Sequence, residues 1–378
     1  MKKLLIIADF IYPHYTGGSS REVYDFILWL YKKNIDFTLI TRAPNSVYKI
    51  NETDKIINKL IEQGKIIVIN KSLSGIIKLF STLFKFILRK KIINIHYPIL
   101  AIPFVMLLNK SKIVYHFHGP FAEEYNIKTE KKGFSFWIRY KIEKYIIKKS
   151  NKIIVHSNYM KKNVIKIFPK AREINIINPT VDINKFKINK NKINLRKRLN
   201  LPVEKIILFT SRRLTKRTGV IELVKNFNTI NTKLKEKLFL IISGKGELEE
   251  KIRRLSAKNP NILFLSYIQE KTFPLYYQSS DIYILPSLSL EGFGLVILEA
   301  FASGIPVIVS NKSGGGREFI KTIDKKLIFQ IENFSQSISS AIKYSIQKYN
   351  NNPAYFRKIA EKFKPDNVFS KYYSILLK

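Results

Sequence analysis

The 378-residue chain contains no cysteine. That excludes a disulfide framework, thiolate metal sites and a cysteine nucleophile. Histidine is scarce too, with five in all. No HExxH pair occurs, so a zinc hydrolase has no support. No DxD dyad appears near a strand end, and no metal-ligand set is predicted. Acidic side chains are few: 28 Asp and Glu against 67 Lys and Arg, a formal net charge of +39. Long apolar runs are also missing. The longest uncharged stretch of note, Ile92 to Asn109, is interrupted by Asn94, His96, Pro98 and Pro103. That pattern predicts a strand, a turn and a short helix rather than a membrane span. At the start, Asp9 breaks a short apolar run and no small-residue cleavage site follows, so no secretory signal is predicted.

What is present fits a globular protein. Apolar residues make up 46% and charged residues 25%, ordinary proportions for a folded chain. The length allows two domains. The positive charge is uneven. Residues 1–200 hold 39 basic and 13 acidic groups, a net of +26; residues 201–378 hold 28 and 15, a net of +13. AT-rich coding accounts for part of the Lys, Asn and Ile content. The excess in the first half favours anionic partners, whether phosphorylated substrates, nucleic acid or a membrane surface. No RNA- or DNA-binding motif supports the nucleic-acid option.

Short β-branched runs alternate with amphipathic stretches. Seven strands are predicted in the first half, at 3–8, 37–41, 65–70, 92–96, 112–117, 152–156 and 173–177. Five follow, at 205–210, 238–243, 262–265, 281–285 and 305–309. Such alternation implies α/β architecture with parallel sheets covered on both faces. Two series imply two doubly wound domains, 1–180 and 190–359. The stretch 178–192, rich in turn residues and charge, reads as the linker. Residues 353–378 read as helical, with 360–378 a candidate to rejoin the first domain.

Several loops carry chemistry. Gly17 and Gly18 follow the first strand and precede a helix predicted from about Ser20; paired glycines permit close approach of a ligand to the backbone. His118 ends the fifth strand, where ligands of open α/β sheets bind. His116 is assigned to the opposite face as a satisfied core histidine, and His96 and His156 are read as structural. In the second half, Arg212, Arg213, Lys216 and Arg217 cluster before a helix predicted near Thr218, a setting for a diphosphate. Glu291 and Glu299 then bracket the start of another helix, with Gly292 and Gly294 flanking Phe293. Carboxylates accept hydrogen bonds from sugar hydroxyls, while a helix N-terminus faces phosphate. A paired-carboxylate hydrolase is the competing reading. Ser313 to Glu318 adds a further glycine-rich loop.

In order, these motifs resemble the family 4 retaining glycosyltransferases, which have the GT-B fold: two Rossmann-like domains facing a central cleft. The carriers are GG at 17–18, HG at 118–119, Val181-Asp182 with Phe186, RRL at 212–214, Gly244-Lys-Gly-Glu247, EGFG at 291–294 with Glu299, and GGGRE at 314–318. The resemblance implies that Gly17 and Gly18 approach the donor pyrophosphate and that His118 sits beside the donor sugar. It implies that Arg213 binds the diphosphate, that Glu291 holds hydroxyls of the transferred sugar, and that Phe293 and Gly294 present backbone amides. Glu299 would hold the ribose, and Gly244 and Leu295 complete the implied donor-binding set. Thr218 stands where the family commonly has lysine, so Lys216 or Arg217 must supply that cation; Arg212 stands where a small residue is usual. The implied activity is transfer from a UDP- or GDP-sugar to a glycan or lipid-linked acceptor. It retains the anomeric configuration, needs no metal or other cofactor, and serves bacterial surface polysaccharide or lipopolysaccharide synthesis. A catalytically silent scaffold of the same fold is the alternative. Two basic, apolar segments, 72–91 and 131–149, predict contact with an anionic membrane at its cytoplasmic face.

Overall fold

The computed structural model describes residues 4–12, 17–42, 55–70, 72–87, 91–107, 111–129, 133–230, 236–349 and 352–378. The chain forms two compact units: residues 1–178 together with Val368–Lys378, and residues Pro179–Asn367.

The first unit is built on seven parallel strands: β1 (Leu4–Ile7), β2 (Phe37–Arg42), β3 (Ile66–Ile69), β4 (Ile92–Ile95), β5 (Lys112–His116), β6 (Lys152–Val155) and β7 (Ile174–Ile176). Their spatial order is β3-β2-β1-β4-β5-β6-β7. Its helices are α1 (Gly18–Lys32), α2 (Lys55–Glu62), α3 (Leu73–Ile87), α4 (Pro98–Leu107), α5 (Phe121–Thr129), α6 (Phe134–Lys149) and α7 (Asn158–Ile167). A strand covered on both faces needs apolar residues at every position, because successive side chains point to opposite sides. β1 has that composition. Leu5 and Ile7 pack with residues of α4, α6 and α7. Leu4 and Ile6 pack on the other face against α1, α2 and the C-terminal residues Phe369, Tyr372 and Leu376.

The second unit holds six parallel strands: β8 (Ile206–Ser211), β9 (Leu238–Ser243), β10 (Ile262–Leu265), β11 (Ile282–Leu285), β12 (Val307–Ser310) and β13 (Ile328–Phe329). Their order is β10-β9-β8-β11-β12-β13. Its helices are α8 (Lys192–Arg198), α9 (Val220–Phe227), α10 (Glu249–Ser256), α11 (Phe273–Ser279), α12 (Leu295–Ala302), α13 (Gly314–Ile323), α14 (Phe334–Tyr349), α15 (Pro353–Glu361) and α16 (Pro365–Leu377), the last running on into the first unit. Both sheets therefore reverse strand order once, at β1/β4 and at β8/β11. The crevice beyond the carboxyl ends of strands at such a reversal is where open α/β sheets bind ligands.

Local departures from the sequence reading have local causes. β13, two residues long, carries too little pattern to be legible. The helix expected near Thr218 starts at Val220, after a single 3₁₀ turn over Lys216–Thr218. Gly219 separates them at φ +70°, a left-handed conformation that glycine adopts without steric cost. The helical C-terminus is two helices, with Pro353 and Pro365 each opening one, the position where a missing N–H costs nothing. The uncharged stretch from Ile92 is β4 followed by α4, and no helix among the described residues is long and apolar enough to cross a membrane.

Candidate active site

In the second unit, the loops after β8, β9, β11 and β12 carry the predicted residues. The sequence reading gave the diphosphate to Arg213, and the structure leaves Arg213 and Lys216 exposed on the loop after β8. Arg212 instead turns inward. Its Nη2 donates to Oε2 of Glu291, and both side chains are about nine-tenths buried. Ser287 Oγ donates to the same carboxylate oxygen at 2.9 Å. Arg217 reaches the same loop, Nη1 to the Leu290 carbonyl at 3.3 Å. Burial would push the Glu291 carboxyl up, but the charges of Arg212 and Arg217 and the Arg212 hydrogen bond outweigh it and hold the pKa below the ordinary value. Glu291 is therefore an ionised, pre-oriented acceptor. A paired-carboxylate hydrolase needs one carboxyl held protonated as general acid, and Glu291 is shifted the other way.

Glycines let these loops interlock. A Cβ on Gly219 would lie 1.9 Å from the Pro286 carbonyl oxygen, and one on Gly244 (φ +144°) would lie 1.8 Å from the Arg212 carbonyl oxygen. Gly219 and Gly244 thus bring the backbones after β8, β9 and β11 into contact. Gly294, at φ +87°, is the N-cap of α12, and no side chain caps that helix. Leu295 is its first residue, half-buried. No side chain caps α13 at Ser313 either. Two helix N-termini thus lie at the carboxyl edge of the sheet without a side-chain cap; in α13 the Gly315 N–H donates to the Glu291 carbonyl at 2.9 Å, and the remaining first-turn amides favour an anion. The Phe293 ring is buried against Phe319, centroids 4.8 Å apart, leaving its backbone as the part a ligand could meet. Glu299, in the second turn of α12, accepts from the Tyr277 hydroxyl at 2.7 Å. Tyr277 stacks on Tyr283, whose hydroxyl donates to the Ser211 carbonyl at 2.8 Å.

In the first unit, Gly17 is the N-cap of α1, which starts at Gly18. His118 follows β5. His116 and His118 do not point to opposite faces as the sequence reading had it. Two residues apart on extended backbone, they share one face, and their rings stack with centroids 4.2 Å apart. His96, just past β4, and His156, just past β6, join them. His96 Nδ1 lies 2.9 Å from His118 Nε2, and His156 Nε2 lies 2.8 Å from Glu22 Oε2. Glu22 comes from α1 and is buried. Sequence reasoning missed it. Burial pushes the pKa values of His96 and His118 down to about 3, with Glu22 opposing the shift at His118. His156 goes the other way: burial would lower it, but the charge and hydrogen bond of Glu22 raise it. The loop after His118 is anchored from below. Glu143 on α6 accepts from the Phe121 N–H at 3.1 Å and from the Tyr115 hydroxyl at 3.3 Å. Its burial pushes the carboxyl up to about 8.

Comparison with known proteins gives the site a family. Residues 191–363 match the family described as Glycosyl transferases group 1, and residues 16–185 match Glycosyltransferase Family 4. An uncharacterised glycosyltransferase of Methanocaldococcus jannaschii is 32% identical over 180 residues, 46% of this chain and 45% of that protein. The O-antigen biosynthesis glycosyltransferase WclY of Escherichia coli is 37% identical over 154 residues, 39% of this chain and 40% of WclY. The chain thus matches under half the length of these relatives. The Anabaena HepE structure, solved with UDP and glucose, aligns over 100% of this chain and 99% of its own at TM-score 0.76 and 16% identity, a likeness of fold. With the two family matches together covering residues 16–185 and 191–363, and both units built on parallel, doubly wound sheets, the chain belongs to the family 4, group 1 glycosyltransferases and has the GT-B fold.

Proposed function

We propose that the protein is a retaining glycosyltransferase that moves a sugar from a UDP- or GDP-sugar to a glycan or lipid-linked acceptor in bacterial surface polysaccharide or lipopolysaccharide synthesis. The observation that carries this is the ionised Glu291, held by Arg212 and Ser287 at the strand-order reversal, next to the α12 N-terminus that no side chain caps. A carboxylate fixed in this way accepts hydrogen bonds from hydroxyls of the transferred sugar. The first-turn amides of α12 and α13, with Arg213, Lys216 and Arg217 on the facing loop, stabilise the negative charge that develops on the departing nucleotide diphosphate. That role needs no metal at the diphosphate. Glu299 takes the ribose hydroxyls, with Phe293, Gly294, Leu295 and Gly244 shaping the backbone around the donor. From the first unit, Gly17 and Gly18 at the α1 N-terminus approach the pyrophosphate, and His118 meets the donor sugar.

The acceptor reading draws on surface chemistry. Ile77, Phe80 and Phe84 are exposed on one face of α3, Met106 and Leu107 at the end of α4, and Phe134, Trp137 and Ile138 on α6. α3 packs on α4, and α4 on α6. Such an apolar group on a unit rich in lysine suits the interface of an anionic membrane, and the cytoplasmic face is where nucleotide-sugar donors are available. WclY is named for O-antigen biosynthesis, which supports a role in surface polysaccharide synthesis.

A thermal-shift panel of nucleotide diphosphates and their sugars, with and without EDTA, tests the reading. A ligand that binds only the folded protein raises the midpoint by mass action. A rise with UDP or GDP that survives EDTA is the expected result and identifies the base. No rise with any nucleotide would shift the reading to a catalytically silent scaffold.

A further inference from the structure

The hydrogen-bond network around His96, His116, His118 and His156 assigns most of their ring protons. Asn94 Nδ2 donates to the Val114 carbonyl at 3.4 Å, so Oδ1 is the atom that faces His96 and Tyr372. A carbonyl oxygen only accepts. His96 therefore carries its hydrogen on Nε2, which donates to Asn94 Oδ1 at 2.9 Å, and the Tyr372 hydroxyl donates to the same oxygen at 3.0 Å. His96 Nδ1 is then an acceptor, and His118 Nε2–H donates to it at 2.9 Å. The Tyr372 hydroxyl oxygen, its hydrogen already used, accepts from His116 Nδ1–H at 3.1 Å. His156 Nδ1–H donates to the Ile177 carbonyl at 2.9 Å.

Each of three imidazoles is thereby left with one lone pair: His116 Nε2, His118 Nδ1 and His156 Nε2. All three face Glu22, at 3.7, 3.6 and 2.8 Å from its carboxylate oxygens. His116 Nε2 is fully buried and has no hydrogen-bond partner. Three lone pairs and a carboxylate converging in a buried space repel one another unless a cation lies among them. A proton on His156 would satisfy one of these contacts. It would leave His116 Nε2 and His118 Nδ1 still directed at the carboxylate. One ligand atom from each of the four residues falls within 4.8 Å of the others, compact enough for a single ion with bonds of about 2.0–2.1 Å.

We propose that Glu22, His116, His118 and His156 form a site for one divalent transition-metal ion, zinc by its donor chemistry. Three imidazoles and one carboxylate are a four-coordinate zinc set. The surroundings match what such a set requires, because metal-bound histidines hand their other N–H to a carbonyl or a polar side chain. Here those partners are the Ile177 carbonyl, Tyr372 and His96. The site lies wholly in the first unit, and its four ligands come from α1, β5, the residue two beyond β5 and the residue after β6. Metal on His118 Nδ1 fixes the tautomer whose Nε2–H donates to His96 Nδ1.

The test is a titration of tag-free, chelator-stripped protein with Co²⁺, read by its visible d–d absorption, followed by displacement with Zn²⁺. The expected result is saturation at one equivalent, intense bands of a four-coordinate site, and their loss when zinc is added. H116N and E22Q should each abolish saturable binding. Circular dichroism and the nucleotide-induced thermal shift, measured on the same samples, separate loss of the site from loss of the fold. H96N, which alters a partner rather than a ligand, should keep one equivalent of Co²⁺ and weaken its binding by about 10–100-fold. Stripped wild-type protein that shows no saturable Co²⁺ bands would overturn the proposal. So would bands that persist unchanged in both H116N and E22Q. A nucleotide shift that survives in the stripped protein leaves the transferase reading intact under either outcome.

Discussion

Replacing Arg212 by methionine removes the cation that holds Glu291 and leaves a carboxylate about nine-tenths buried with Ser287 as its remaining side-chain donor. Breaking one side of a buried ion pair costs about 3–5 kcal/mol, because the partner charge stays behind without compensation. For a unit of this size each kcal/mol corresponds to roughly 2–4 °C of unfolding midpoint, so R212M should fall by about 6–20 °C. Removing the stranded charge as well, in R212M/E291Q, should recover part of that loss. A double-mutant cycle from thermal unfolding of the wild type, the two single variants and the double variant then gives a coupling energy of about 1–3 kcal/mol. The pH dependence carries the sign. The Glu291 pKa is depressed in the folded state, so its contribution is present above the unfolded carboxylate pKa and lost as pH falls through the folded one. The gap between wild type and R212M should therefore be widest at neutral pH and shrink on acidification. Coupling below about 0.5 kcal/mol, with no pH dependence of the gap, would refute the claim that Arg212 is what holds Glu291 ionised.

Other expectations follow from single contacts. G219A should destabilise the second unit by more than about 1–2 kcal/mol, the cost of a side chain in left-handed backbone, because its Cβ also meets the Pro286 carbonyl; urea unfolding measures this. Glu143 has a folded pKa raised to about 8. Its protonated form is favoured by folding, so stability is full below the unfolded value near 4.5 and declines as pH rises through 8, by up to about 1.4 kcal/mol per pH unit. E143Q should remove that slope, and unfolding midpoints at pH 6 and pH 9 would reveal a failure to do so. Replacing Phe80 and Phe84 by serine should reduce co-flotation with anionic liposomes at low salt without changing the nucleotide thermal shift; unchanged flotation would remove the α3 face from the membrane account.

Much of the architecture was legible because a doubly covered parallel sheet writes itself into the sequence. Runs such as Leu4-Leu5-Ile6-Ile7 have no polar position to hide, and Gly and Pro punctuate the ends. What escaped was what depends on distant partners or on very short elements. β13 is two residues long. Glu22 lies 134 positions from His156, and no local pattern announces an acidic residue turned into the core from an amphipathic helix. The shared face of His116 and His118 was legible in the two-residue spacing itself. Arg212 left a fainter trace, an arginine where a small residue is usual. Its inward turn depends on the close backbone approach that Gly244 allows. The motif Glu291-Gly-Phe-Gly294 was legible as a loop entering a helix, but its charge state depended on that arginine.

The most direct test of the central claim is release of nucleotide diphosphate from a panel of UDP- and GDP-sugars by the wild type and E291A, with folding verified by circular dichroism. The account predicts slow release from donors of one base by the wild type, and loss of most of that turnover in E291A while nucleotide binding persists. Release at the wild-type rate in E291A, or no release and no binding with any donor, would contradict it.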